Sequence, residues 1–237
     1  MRTLDVLLYL DATRVDLDAD GAVAAIDILR ATSTIAAALA NGAEAVAPAL
    51  SPEEAVEMRG DCGETLLGGE RGNVKLDGFD LGNSPLEYTR AVVEGRTICF
   101  TTTNGTRLIR AAEGARRLFA GAFINISAVC RALEADCGNA LLACAGTHGR
   151  LSLDDALFAG ACVHRIKGAF DRLTDAARTA EALWLSRRGD LRAALREAEH
   201  AQTLLRFGYE RDIDYAAQID AAPVLPIYEA GRFRLRR

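Results

Sequence analysis

Runs of apolar residues of strand length alternate along this chain with segments in helical register. The apolar runs occupy residues 4–10, 22–26, 45–47, 65–67, 96–100, 117–120 and 140–145. Several are apolar throughout, as expected of strands buried on both faces. Helix-like segments lie between them at 32–40, 52–59, 85–93, 106–112 and 127–135. This alternation predicts an α/β fold, a largely parallel sheet flanked by helices. From Ser152 to about Leu205 charged and Ala/Leu-rich residues dominate without a strand signal. The pattern there predicts two or three consecutive helices, broken near Gly189-Asp190. A short strand at 224–228 and a hairpin partner at 232–235 close the chain. With no internal repeat and no low-complexity linker, one α/β domain over residues 1–237 is expected, with a helical subregion at 152–205. The turn-rich stretch 68–84 is long for a connection, and long ordered loops often carry function.

Composition narrows the class. Of the 237 residues 50% are hydrophobic and 26% charged, ordinary for a soluble globular protein. The net charge of −5 argues against a nucleic-acid surface, and the basic tail of Arg232, Arg234, Arg236 and Arg237 is short. No apolar run approaches the roughly 20 residues of a membrane span. The start Met1-Arg2-Thr3-Leu4-Asp5 places an acid where a secretory signal needs apolar residues. Cys62, Cys99, Cys130, Cys137, Cys144 and Cys162 form no C-x-x-C pair and read as reduced, mostly buried thiols. A cytoplasmic protein is therefore expected.

Polar residues collect where the apolar runs end. After the run 97–100 comes Thr101-Thr102-Thr103-Asn104-Gly105-Thr106-Arg107, a hydroxyl-rich turn into a helix. Such a turn either caps the helix or offers backbone N–H groups, hydroxyls and a guanidinium to an anion. After the run 22–26 comes Asp27-Ile28-Leu29-Arg30-Ala31-Thr32-Ser33-Thr34. Sites in open α/β sheets lie at the carboxyl ends of strands. Asp27 there can hold a metal while Arg30, Thr32 and Ser33 approach a phosphate, or it can cap the helix and pair with Arg30. Glu70 and Arg71, in Gly69-Glu70-Arg71-Gly72-Asn73, can serve a metal and an anion or form a surface ion pair. Asn83 and Ser84 precede Pro85, a helix start. Asn125 and Ser127 open a further helix. Asp154-Asp155 stands at the start of the helix after Ser152, favourable for the helix dipole and also a plausible metal seat. The acids of Asp16-Leu17-Asp18-Ala19-Asp20-Gly21 resemble a calcium loop, but an apolar run with strand character precedes them where a helix is needed. His148 lies in a Gly-rich loop and can assist chemistry; His164 and His200 read as ordinary helix residues. Neither a P-loop, a G-x-G-x-x-G nor a G-x-S-x-G is present.

Five of these segments, taken in order, resemble the 2-phosphosulfolactate phosphatase family. They are Asp27–Thr34, Gly69–Gly72, Gly78-Phe79-Asp80-Leu81-Gly82-Asn83-Ser84-Pro85, Thr101–Arg107 and Asp154-Asp155-Ala156-Leu157-Phe158-Ala159-Gly160. The chain departs from the pattern at Asp154-Asp155, where relatives usually carry Glu-Asp, and at Phe158, where Cys is common. The resemblance implies a Mg²⁺-dependent phosphoric monoester hydrolase of coenzyme M biosynthesis, acting on a small anionic phosphorylated substrate and yielding sulfolactate and phosphate. On it, Asp27, Glu70 and Asp155 are expected metal ligands, with Glu70 as ligand or base, and Arg30 and Arg71 bind anionic groups. Thr32, Ser33, Asn83, Ser84, Thr102, Thr103, Asn104, Gly105, Thr106, Asn125 and Ser127 are expected to line the substrate site. No nucleic acid or membrane partner is implied, and the segment after Ser152 can pair two copies into a homodimer. Two rival classes stand beside this one: a phosphatase of another small phosphorylated acid, and a non-catalytic anion-binding protein on the same scaffold.

Overall fold

The structure, a computed structural model, describes residues 1–11, 21–60 and 64–236. The calcium-like acids Asp16, Asp18 and Asp20, and Cys62, lie outside the described residues. The elements in order are β1 (Thr3–Leu7), β2 (Gly21–Ile26), α1 (Ala31–Ala40), β3 (Ala45–Pro48), α2 (Pro52–Arg59), β4 (Leu66–Arg71), β5 (Val74–Lys75), α3 (Arg90–Val93), β6 (Thr97–Thr101), α4 (Gly105–Ala111), β7 (Arg117–Gly121), α5 (Ile126–Ala135), β8 (Asn139–Cys144), α6 (Leu153–Ile166), β9 (Arg172–Leu173), α7 (Asp175–Arg187), α8 (Leu191–Arg196), α9 (Glu199–Arg206), α10 (Glu210–Ala216), β10 (Ile227–Glu229) and β11 (Arg232–Arg234). The fold is α/β, as the alternation predicts. Among the described residues no helix is long and apolar enough to cross a membrane.

The strands form one sheet in the order β5-β4-β6-β3-β11-β10-β7-β2-β8-β1-β9. Two parallel blocks, β4-β6-β3 and β7-β2-β8-β1-β9, are joined by the antiparallel hairpin β10–β11. Three antiparallel pairings in succession make the two blocks run in opposite senses. Period-two burial assigns each face of the sheet. Val23 and Ala25 of β2, Val46 of β3, Ile98 and Phe100 of β6, and Leu118 and Ala120 of β7 share a core with Ile35 and Leu39 of α1 and Leu108 and Ile109 of α4. Both blocks thus pack against the same two helices, and the sheet folds around them. Ala22, Ala24 and Ile26 of β2 face the other way, into a core with Val129, Leu157, Trp184, Leu195, Leu204 and Ile213 of the later helices.

Local chemistry sets several boundaries. The Ser51 hydroxyl accepts the Glu54 N–H, Pro52 occupies the first turn of α2, and Gly60 ends it at φ 52°. Asp190 accepts the Ala193 N–H and so starts α8 at the expected break. Two expectations are corrected. The helix expected at 85–93 is a 3-10 turn, Pro85–Glu87, followed by α3. Tyr88 lies between them, buried, its hydroxyl donating to the Gly82 carbonyl at 2.7 Å. The strand expected at 65–67 runs on to Arg71, so Glu70 and Arg71 belong to a strand, paired with β5. Gly68-Gly69 hides that strand in the sequence, but a side chain does not fit: a Cβ on Gly69 would lie 2.0 Å from the Thr101 carbonyl oxygen. In the helical segment, β9 interrupts what the sequence shows as helix alone.

Phe233 of β11 is fully buried in the core shared by both blocks. Phe233→Ala is expected to cost about 3–5 kcal/mol, the usual penalty for emptying a buried aromatic site. Urea denaturation followed by circular dichroism checks this. A loss below about 1 kcal/mol, the size of an ordinary substitution, would mean that the hairpin does not hold the blocks together.

Candidate functional site

The carboxyl ends of strands from both blocks reach one cleft of about 290 Å³. Asp27 and Arg30 come to it from beyond β2, Glu70 from β4, Thr102, Thr103 and Asn104 from beyond β6, and Thr147 and His148 from beyond β8. Asn83 lines it as well, and α9 covers it with Glu199, His200 and Thr203.

Asp27 performs the capping role and faces the cleft at once. Its Oδ1 accepts the Ala31 N–H at 3.2 Å at the start of α1. Its Oδ2 lies against Gly105, where an added Cβ would be only 2.6 Å away. Thr32 and Ser33 are not offered to a ligand as expected. The Thr32 hydroxyl lies 2.7 Å from the Gly121 carbonyl and 2.9 Å from that of Asp27, and Ser33 donates to the Ile28 carbonyl at 2.8 Å. Both side chains are fully buried and serve to lock the β2–α1 turn.

Glu70 is buried and holds the turn after β6. Its Oε1 accepts from the Thr103 N–H and the Thr103 hydroxyl, each at 3.0 Å, and its Oε2 accepts the Asn73 N–H at 2.8 Å. Thr102 and Thr106 bond reciprocally: the Thr102 hydroxyl accepts the Thr106 N–H at 3.2 Å, and the Thr106 hydroxyl donates to the Thr102 carbonyl at 2.9 Å. Thr106 is therefore buried in the first turn of α4, where the Thr102 hydroxyl caps it, and of the expected turn residues Thr102, Thr103 and Asn104 line the cleft while Gly105 and Thr106 do not. Arg71 does not line it. Its guanidinium donates to the carbonyls of Glu70 and Leu50 and to the Thr101 hydroxyl, tying β4 to β6.

Arg30 does not pair with Asp27. It is 2% exposed, donates to Asp212 Oδ2 at 2.8 Å, and stacks 4.1 Å above the Tyr209 ring. Ser84, expected at the substrate, instead donates to Asp212 Oδ1 at 2.6 Å.

The paired acids at the start of α6 have different surroundings. Asp155 accepts the Ile28 N–H at 2.9 Å and the Gly146 N–H at 3.0 Å, linking the ends of β2 and β8 to the helix. Asp154 accepts from the Ser152 hydroxyl at 2.5 Å. Asn125 and Ser127 lie elsewhere. The Asn125 amide accepts the Ala122 N–H and donates to the carbonyls of Ala120 and Val224, and Ser127 is bound to Asp220.

Electrostatics mark two buried carboxyls, Asp27 and Asp155. Burial pushes the Asp27 carboxyl up to about 7, the charges of Asp154 and Glu70 add to this, and the Ala31 N–H and Arg30 oppose it. Asp155 is also raised, by burial first and then by Asp154 and Asp27. Burial lowers the His200 imidazole below its ordinary value, against the pull of Asp154 and Glu70 and aided by Arg30 and His148. At neutral pH it therefore enters the cleft as an uncharged ring able to accept a proton.

Three cleft-lining residues of α9 escape the sequence, Glu199, His200 and Thr203, and so do Tyr209 and Asp212, which hold Arg30. His200, read as an ordinary helix residue, faces the site. These positions lie far from the strand-end motifs in sequence, and no local pattern marks them.

The raised Asp27 value has a definite consequence for stability. A carboxyl whose folded pKa exceeds its unfolded one favours the fold fully below the unfolded value, 3.8, and that contribution is lost as pH rises through about 7. In chelator, the thermal midpoint is expected to fall from pH 5 to pH 8, and Asp27→Asn, which cannot ionise, to fall less. Equal slopes in the two proteins, read by scanning calorimetry, would contradict the assignment.

Comparison with known proteins identifies the family. Residues 9–231 match the family described as 2-phosphosulpholactate phosphatase. A "probable 2-phosphosulfolactate phosphatase" of Symbiobacterium thermophilum is 44% identical over 212 residues, covering 87% of this chain and 91% of that protein. One of Thermotoga petrophila is 42% identical, covering 89% of this chain and 90% of that protein. One of Clostridium acetobutylicum is 35% identical, covering 96% and 98%. An acid-lined cleft at strand ends, a match along nearly the whole chain and relatives of this similarity lead to one conclusion: the chain belongs to the 2-phosphosulpholactate phosphatase family, a family of phosphoric monoester hydrolases.

Proposed function

We propose that this chain hydrolyses the phosphate monoester of 2-phosphosulfolactate to sulfolactate and phosphate, in a Mg²⁺-dependent reaction. The observation that carries the reading is the Asp27 carboxylate set against Gly105 at the start of α4, in a cleft that Arg30, Glu70 and the Thr102–Asn104 turn also line. Relatives named for this activity at 35–44% identity support it.

The donor chemistry suits magnesium. Asp27 and Glu70 supply carboxylate oxygens, the ligands of a hard divalent cation. Among the described residues no three His, Cys, Asp or Glu side chains gather into a complete cage. Mg²⁺ is commonly held by one or two carboxylates and completed by water and substrate phosphate. Asp27 and Glu70, which both line the cleft, would hold it, and Asp155, which does not line it, would contribute charge from behind. When bound, Mg²⁺ would offset the charge on the phosphoryl oxygens and lower the pKa of water.

The chain's own groups account for the rest. The substrate carries three anionic groups and the protein is net acidic, so attraction has to be local. Arg30 supplies a guanidinium, and the turn after β6 supplies the Asn104 side chain and backbone dipoles. Glu70 fixes that turn through Thr103, which preorganises it before substrate arrives. His200 can take the proton of the attacking water on an imidazole nitrogen.

Phosphate release from 2-phosphosulfolactate is expected with Mg²⁺ and not in chelator, and Asp27→Asn is expected to lower kcat roughly 100-fold or more. Full Mg²⁺-dependent activity in that variant would sink the assignment. A panel of phospho-acids without sulfonate preference would point to another small acid as substrate, and ligand-induced thermal stabilisation without phosphate release to an anion-binding protein. Gly105→Ala gives a second check, because the new Cβ would press Asp27 Oδ2 at 2.6 Å and the Ala31 Cβ at 2.5 Å. Displacing a catalytic carboxylate by about 1 Å costs on the order of 100-fold in rate. A Gly105→Ala protein with unchanged kcat would show that Asp27 need not stand where it does.

A further inference from the structure

The Arg30 guanidinium has an unfilled edge. Its Nη1 donates to Asp212 at 2.8 Å and its Nη2 reaches the Asn73 carbonyl only at 3.4 Å. Its Nε is buried and has no hydrogen-bond partner among the described residues. Asn83, which lines the same cleft, likewise has a buried Oδ1 without a partner among them. Leaving a buried polar group unsatisfied costs about 1–3 kcal/mol, more when it is charged. A bound group that met both residues would remove that cost.

The shape of the edge names the ligand chemistry. Nε–H and the adjoining Nη2–H point the same way from a planar group, at the spacing of two oxygens of one oxyanion. The Asn83 amide, which lines the same cleft, can turn its NH₂ to a ligand there, since amide orientation follows the partner present. Direct contacts tie Asp27 to Gly105 and Glu70 to Thr103. A different set ties Arg30 to Tyr209 and Asp212 of the α10 region, and Asp212 to Ser84. The carboxylates and the turn form one grouping, suited to metal and phosphoryl. Arg30 and Asn83 form the other.

We propose that the Nε edge of Arg30, with Asn83, grips an acid group of the substrate other than the phosphoryl that reacts, and that Tyr209 and Asp212 are positioning residues that aim this edge. The assignment rests on the proposed phosphatase reading and adds to it which residues select the substrate. Asp212 fixes one end of the guanidinium by charge, and the Tyr209 ring fixes its plane. The α9–α10 segment, which also covers the cleft through His200, thereby takes part in selecting the substrate.

The test compares 2-phosphosulfolactate with two shortened esters, 2-phospholactate, which lacks the sulfonate, and O-phosphoisethionate, which lacks the carboxylate. Arg30→Lys, Asp212→Asn and Tyr209→Leu are expected to raise KM for the full substrate roughly 10- to 100-fold, the worth of a charged hydrogen bond, with a smaller change in kcat. The ester lacking the gripped group should already have a high KM in the parent protein and lose little more in the variants, which identifies sulfonate or carboxylate. Losses of equal size on all three esters, carried by kcat, would place Arg30 at the phosphoryl group and overturn the proposal. Calorimetric binding of sulfolactate, which has no phosphoryl group, separates the two readings. Binding lost in Arg30→Lys and in Asn83→Ala but kept in Asp27→Asn supports the site even if no ester is hydrolysed, a result that would remove the phosphatase reading alone. Phosphate release by the parent with sulfolactate binding unaltered in Asn83→Ala and Arg30→Lys would remove the site alone. The Asn83 side chain is separable from the fold because it is the Asn83 backbone carbonyl that accepts the Thr34 hydroxyl.

Discussion

Asp27 is desolvated at the end of β2 with two further acids acting on it, and the cleft is arranged around that unfavourable charge. A buried carboxylate is costly unless hydrogen bonds or cations offset it. Ala31 supplies one N–H, and Arg30 lies close enough to oppose the rise. Asp155 bears a similar burden, offset in part by accepting two backbone N–H groups from the ends of β2 and β8. Charge is thus concentrated at the strand ends by backbone geometry, which requires those strands to stay adjacent and parallel. The direct β2–β8 register, with Ile26 opposite Cys144, meets that requirement.

The joining hairpin has the complementary task. Asp27 belongs to one parallel block and Glu70, with the turn after β6, to the other. The blocks run in opposite senses, so a flat sheet would put their carboxyl ends at opposite edges. Folding both around α1 and α4 brings the ends together, and Phe233 of β11 lies in the core that records it. The acids and the turn can meet only because the closing strands of the chain enter between segments made much earlier.

This also explains which parts were legible in the sequence. Buried strands such as 22–26 and 117–120 are written as continuous apolar runs, and cap chemistry at Ser51 and Asp190 is local, so both can be read directly. Asp27, Glu70 and Thr102–Asn104 were legible because polar residues at strand ends are a local pattern. Thr32, Ser33 and Asn125 show the limit of that pattern. The same residue types serve equally well to satisfy backbone carbonyls and N–H groups within a tight turn, and only the fold decides which they do. Glu70 in a strand was hidden by Gly68-Gly69, whose lack of side chains is demanded by neighbours distant in sequence. Tyr209 and Asp212 were not legible at all, since their meaning comes from Arg30, some 180 residues away.

That distant pairing bears on how a net-acidic protein handles a substrate of the same sign. A single arginine among Asp27, Glu70 and Asp154 would be drawn toward the nearest carboxylate and lose its directionality. Asp212 and the Tyr209 ring hold it instead, engaging Nη1 and the guanidinium face while leaving Nε without a partner among the described residues. The buried pair is nearly neutral as a unit, so Arg30 contributes less as bulk positive charge than as a fixed set of donors. Discrimination by such a site depends on donor geometry rather than on field strength. An oxyanion that fits the edge relieves an unsatisfied group, whereas a ligand lacking it leaves the group unpaired, and that asymmetry is what makes buried hydrogen-bonding sites selective.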